Sequence, residues 1–211
     1  MRRFFICWAI SCYLVASSPG QMLGPPYATY AGIPANQFDF FAAAQRQSSW
    51  CWAASIQMIL NWYGLPVDQS QVVSRTYGAA INAGASDQQI SSSLNTWAIA
   101  ANGRTYAIGS VTAAGAPQPS VLVQEMNQRH PILLTFSTGP FNGHAVVVTA
   151  TTYFSTPQGP QLNSLSLRDP WPSDQNIANK GKTEVSGAAL DEFLRHVRSH
   201  WLVSVHPIST R

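Results

Sequence analysis

Residues 51–63, CWAASIQMILNWY, place the tightest constraint on this chain. Trp52, Ile56, Ile59, Leu60 and Tyr63 recur at spacings of three and four and share one face of a helix. Met58 and Trp62 extend the apolar surface to other sides. A helix apolar around most of its circumference is buried, so other layers must enclose it. Ser49 is the expected N-cap, Gly64 the residue that ends the helix, and Pro66 blocks its continuation. With 211 residues the chain can build one domain around such a helix, but not comfortably two.

The enclosing layers are legible in outline. Further helices are expected at 69–77 behind Asp68, at 87–98 behind Ser86 and at 121–129 behind Ser120. Then the character changes. PILLTF (131–136), HAVVVTATTYF (144–154) and LNSLSLRD (162–169) are β-branched or alternating, with turn-rich links between them. A short helix near 190–198 and a strand at 201–208 close the chain. Helices first and an antiparallel sheet second make an α+β fold. Residues 21–44, rich in Gly, Pro and Ala, read as an extended lead-in with one short strand near 38–41.

The N-terminus, MRRFFICWAISCYLVASSPG, has the pattern of a secretory signal peptide. Arg2 and Arg3 precede an apolar run of about a dozen residues, too short to span a bilayer as a helix. The expected organisation is a signal peptide over 1–20, a lead-in over 21–35 and one domain over 36–211, in a secreted or periplasmic protein. Removing Arg2 and Arg3 lowers Lys+Arg from 12 to 10 against 9 acids, a net charge of +1. The basic balance therefore gives no reason to expect nucleic acid as a partner. No stable membrane insertion is expected after cleavage, and oligomeric state is not legible. Cleavage also removes Cys7 and Cys12 and leaves Cys51 as the one cysteine of the three. A lone thiol in an oxidising compartment is a buried filler, an intermolecular bridge or a reactive group.

Cys51 falls in the first turn of the helix, where free N–H groups and the helix dipole stabilise a thiolate, the nucleophilic form. Such a nucleophile needs a base. Of five histidines, His144 follows a Gly-containing turn and opens a strongly apolar strand, so it is placed to face a cleft. His130 before Pro131 reads as a turn residue, and His206 lies near the C-terminus. His196 and His200, four apart on an expected helix, have metal-ligand spacing but no third ligand. If 144–154 and 163–169 form a hairpin, the end of one strand lies beside the start of the other, and Asp169 comes close to His144. Asp169 is then either the acid that orients the imidazole or a turn residue before Pro170. Gln45 is either an oxyanion donor beside the Cys51 backbone N–H or a surface glutamine, with Gln47 a decoy. No metal, nucleotide or phosphate motif is visible, and no cofactor is expected.

Gln45-x5-Cys51-Trp52-Ala53-Ala54, Gly143-His144-Ala145-Val146-Val147 and Asp169-Pro170-Trp171 together resemble the papain-like cysteine peptidase superfamily. They are most similar to its compact bacterial branch, which includes secreted effector peptidases and bacteriocin-processing peptidases. The resemblance covers roughly residues 36–208. It implies Cys51 as nucleophile, His144 as general base and acid, Asp169 as orienting acid and Gln45 as oxyanion-hole side chain. Papain itself has Asn in the third position, and this chain lacks papain's disulfide cysteines. The implied activity is hydrolysis of a protein or peptide substrate through a thioester. The same residues would also serve an acyltransferase or amidase, transglutaminase-like or acting on cell-wall isopeptide bonds. A third reading is a non-catalytic binding module on the same scaffold.

Overall fold

The computed structural model describes residues 27–95, 97–140 and 142–208. The expected signal segment 1–20 lies outside them. Among the described residues eight strands form one antiparallel sheet. In chain order the elements are β1 (Thr29–Gly32), α1 (Ala35–Phe38), α2 (Cys51–Trp62), α3 (Gln69–Tyr77), α4 (Asp87–Leu94), β2 (Trp97–Ala101), β3 (Arg104–Ala114) and α5 (Pro119–Asn127). They continue with β4 (Ile132–Ser137), β5 (Gly143–Thr156), β6 (Gly159–Arg168), α6 (Asp174–Ala178), β7 (Lys182–Ser186), α7 (Gly187–His196) and β8 (Val197–Pro207). The strand order is β2-β3-β8-β4-β5-β6-β7. β1 pairs with the far half of β5, beyond the end of its pairing with β4.

Both faces of the sheet are covered. On one face Leu133, Ala145, Val147, Trp201 and Val203 pack with residues of α2, α3 and α4. On the other, Ile132, Leu134, Val146, Val148, Leu165 and Leu167 pack with Leu122 and Met126 of α5 and Leu190 of α7. Two buried faces explain why β4 and β5 read as continuous apolar runs rather than as strict alternation. The all-round apolar helix is α2, with Trp52, Ala53, Ala54, Ser55, Ile56, Met58, Ile59 and Leu60 all buried. It lies against β5. Each of its fully buried large side chains contributes about 1.5–3 kcal/mol of hydrophobic stabilisation. Gly64 ends it in the left-handed region, with Leu65 N–H donating to Leu60 O at 2.9 Å.

Several expectations need correction. The chain does not run from helices to sheet in two blocks, because the β2–β3 hairpin intervenes between α4 and α5. The helix expected to reach residue 98 stops at Leu94, and WAIAA becomes β2. There Asn95 Oδ1 accepts from Ser110 N–H of β3, tying the helix end to the hairpin. No strand forms at 38–41; a single turn of helix, α1, buries Phe38 instead. α5 starts at Pro119 rather than 121, with Gln118 as N-cap and proline in the first turn. The last helix ends at His196 and β8 begins at once, so His196 and His200 do not share a helix. His196 Nδ1 meets Glu192 O, whereas buried His200 Nδ1 meets Gly115 O. The lead-in contributes β1 to the sheet, with Ala31 and Ile33 buried.

Candidate active site

Cys51 is the first residue of α2, partly buried, and lines a cleft of about 620 Å³. Trp50 occupies the N-cap position and makes no side-chain cap. The expected capping residue, Ser49, instead donates its N–H to Asn82 Oδ1 at 3.0 Å. That bond belongs to a larger brace. Trp50 Nε1 donates to Ile81 O at 2.8 Å, and Trp52 Nε1 donates to Ala83 O at 3.1 Å. Asn82 Nδ2 donates to Ser48 Oγ at 2.9 Å. The two tryptophans beside Cys51 thus hold the 81–83 loop, and the residues that follow it, Gly84–Gln88, form one wall of the cleft.

Thr135, Gly143, His144, Ala145 and Arg198 form the wall on the sheet side. His144 sits near the start of β5 opposite Phe136 of β4. Its ring meets Phe136 edge-on at 5.7 Å and Trp171 at 6.3 Å. β5 and β6 form the expected hairpin, with Val147 opposite Arg168. Asp169 leaves β6 on the next residue, and its Oδ1 lies 2.7 Å from His144 Nε2. This contact leaves Nδ1 as the ring nitrogen free of Asp169, on an imidazole that lines the same cleft as Cys51.

Asp169 is held on several sides. Trp171 N–H donates to Oδ1 at 2.8 Å, and Asp169 N–H donates to Gly181 O at 2.8 Å. Gly181 has φ +69°, and a Cβ there would lie 2.3 Å from Asp169 O. Below the acid, Arg168 is fully buried. It pairs with Asp39 at 2.7 Å and donates to Ala35 O at 2.8 Å and Lys180 O at 3.0 Å. α1 and the 180–181 turn are thereby fastened to the end of β6.

The charges follow from these contacts. Burial disfavours the imidazolium, but the Asp169 carboxylate and the Cys51 sulfur outweigh it and push His144 up to about 9. Burial likewise opposes the Asp169 carboxylate. The His144 ring, the Trp171 N–H and the Asn176 side chain outweigh that and hold it below the usual carboxylate range. A sulfur, an imidazole and a carboxylate in series, at a helix N-terminus and in a cleft, can sustain nucleophilic acyl chemistry.

Gln45 differs from an amide aimed into the cleft. It is buried, and Nε2 donates to Gln47 O at 3.0 Å and Ser48 O at 2.9 Å. Its N–H donates to Pro170 O at 2.7 Å, so the loop before Cys51 is tied to the loop after Asp169. An oxyanion role for the side chain requires one of the two Nε2 bonds to be released. The sequence reading missed the 84–88 wall and Arg198. Residues 78–88, GAAINAGASDQ, gave the one signal, a run of small residues after a capped helix.

The Peptidase_C39 like family matches residues 34–190. The chain belongs to this family. It is a cysteine peptidase, and its fold is that of papain-like peptidase domains. Among solved structures the peptidase is similar to the peptidase domain of Streptococcus ComA, a bi-functional ABC transporter involved in a quorum-sensing pathway. The TM-score is 0.50 at 15% identity, over 79% of this chain and 97% of that one. Another similar structure is a double glycine motif protease from an AMS/PCAT transporter in complex with the leader peptide. Its TM-score is 0.47 at 16% identity, over 89% of this chain and 96% of that one. No curated protein matches the chain.

Proposed function

We propose that this peptidase hydrolyses peptide bonds with Cys51 as nucleophile, His144 as general base and acid, and Asp169 as the acid that orients it. The carrying observation is the single imidazole that shares a cleft with Cys51 and meets Asp169 Oδ1 at 2.7 Å. The Cys51 thiolate attacks the carbonyl carbon, and the carbonyl oxygen takes the negative charge. The Cys51 backbone N–H, at the helix N-terminus, donates to that oxygen. Gln45 adds a second donor when one of its loop bonds lets go. The His144 imidazolium then protonates the departing amine, leaving an acyl thioester on Cys51. His144, now neutral, takes a proton from water. The hydroxide attacks the thioester, the acid product leaves, and the thiolate–imidazolium pair is restored.

The export reading rests on the 1–20 segment, and N-terminal sequencing of the protein recovered outside the cytoplasm tests it. Active-site titration tests the chemistry. A product burst of one equivalent, with an acid-stable acyl adduct on the Cys51 peptide, is expected. An unacylated Cys51 in a protein that still cleaves peptide would sink the assignment. Product amide in place of acid when an amine is added would identify an acyltransferase.

A further inference from the structure

Arg198 is a cation of the cleft with no carboxylate at hand. It lies on β8, exposed, and lines the sheet-side wall with Gly143 and His144. Its Nη1 is 3.4 Å from the point a Cβ on Gly143 would occupy, so the guanidinium lies against the residue that precedes His144. Among the described residues no Asp or Glu oxygen comes within 4.0 Å of Arg198; the ion pairs involve other residues. Asp87, the acid among the cleft-lining residues, is compensated already. It accepts from the Ser199 hydroxyl and sits in the first turn of α4, where the helix N-terminus favours negative charge.

A peptide extended through the cleft advances about 3.3 Å per residue. A guanidinium beside residue 143 therefore faces a substrate side chain close to the bond that Cys51 attacks. Arginine presents a planar fork of donors that matches a carboxylate. We infer that Arg198 is a specificity residue, selecting substrates with a carboxylate within two residues of the scissile bond. The carboxylate comes from an Asp or Glu side chain or from the substrate's own C-terminus. The inference rests on the proposed Cys51–His144 chemistry.

The test is cleavage of a defined mixture of synthetic peptides by the full chain, with cut sites read by mass spectrometry. Enrichment of Asp and Glu at one internal position beside the cut identifies the side-chain source. Cuts fixed near peptide C-termini, and lost on amidation, identify the terminal carboxylate. For matched Glu and Gln peptides, kcat/KM is expected to differ roughly twofold to fivefold at low salt, less at high salt. Arg198→Gln should flatten the preference and Arg198→Glu should turn it toward Lys and Arg. Identical profiles in the wild type and Arg198→Glu overturn the assignment of Arg198. A wild-type chain that cuts no peptide, with Cys51 no more reactive than a free thiol, overturns the chemistry beneath it and this inference with it.

Discussion

Asp169→Asn removes the charge from the His144 partner while keeping an oxygen for the Trp171 N–H. A folded value of about 9 for His144, against 6.5 in the unfolded chain, is worth about 3 kcal/mol of stability. The sign follows from proton binding. The folded state holds the proton more tightly, so the contribution is complete below pH 6.5 and disappears as pH rises through about 9. Asp169 raises the imidazole both by a hydrogen bond and by charge, and Cys51 supplies the rest. The variant should therefore lose at least about 1 kcal/mol less than the wild type between pH 6 and pH 10. Urea unfolding of both proteins at the two pH values measures this. The difference of differences cancels the tyrosines and lysines that also titrate. The alkaline limb of the pH–rate profile should move to lower pH in the variant. An equal loss of stability in both proteins, with an unmoved alkaline limb, would show that Asp169 does not hold the imidazolium.

Cys51→Ala should abolish turnover while leaving the fold intact, and it should lower the pH at which His144 titrates, read by NMR of the ring protons. Trp50→Phe and Trp52→Phe each leave a loop carbonyl without its indole donor, a cost of about 1–3 kcal/mol. Faster amide exchange over residues 81–88 and a higher KM should accompany that cost. Gly181→Ala sets a Cβ against Asp169 O in a backbone conformation that alanine resists. It should cost at least about 1 kcal/mol in thermal unfolding and lower kcat through the displaced acid. Arg168→Met leaves Asp39 and two carbonyls unpaired, and a loss of about 3 kcal/mol in denaturant titration is expected.

What was legible in the sequence was what local chemistry dictates. Asp68 and Ser86 form capping boxes at the starts of α3 and α4, and Gly64 ends α2, because these residues act on their own backbone neighbours. The hairpin carrying His144 and Asp169 could be inferred because two apolar runs flank a turn-rich link. β3, RTYAIGSVTAA, was lost among helices because it offers Ile108 as its one buried side chain. Its hairpin with β2 across Asn102-Gly103 is a local signal, whereas its pairing with β8, about a hundred residues away, is one that no local pattern reports.

The same limit governs the site. The sequence presents Cys51, His144 and Asp169 as residue types in suitable local settings, but the elements that hold them in place act at long range. The Gln45 N–H on Pro170 O joins the loop before the nucleophile to the loop after the acid. Arg168 joins the N-terminal turn to the strand that ends at Asp169. Trp50 and Trp52 look like core filler flanking a cysteine until their indole N–H groups are seen to fix the opposite wall. A side chain that orders distant backbone carries no signature in its own neighbourhood, because its partner is a carbonyl that any residue supplies. Positioning in this peptidase therefore depends on backbone atoms of residues 81–83, 170 and 180–181. Conservative side-chain changes at Ile81, Ala83 or Pro170 should disturb catalysis less than Trp50→Phe or Gly181→Ala.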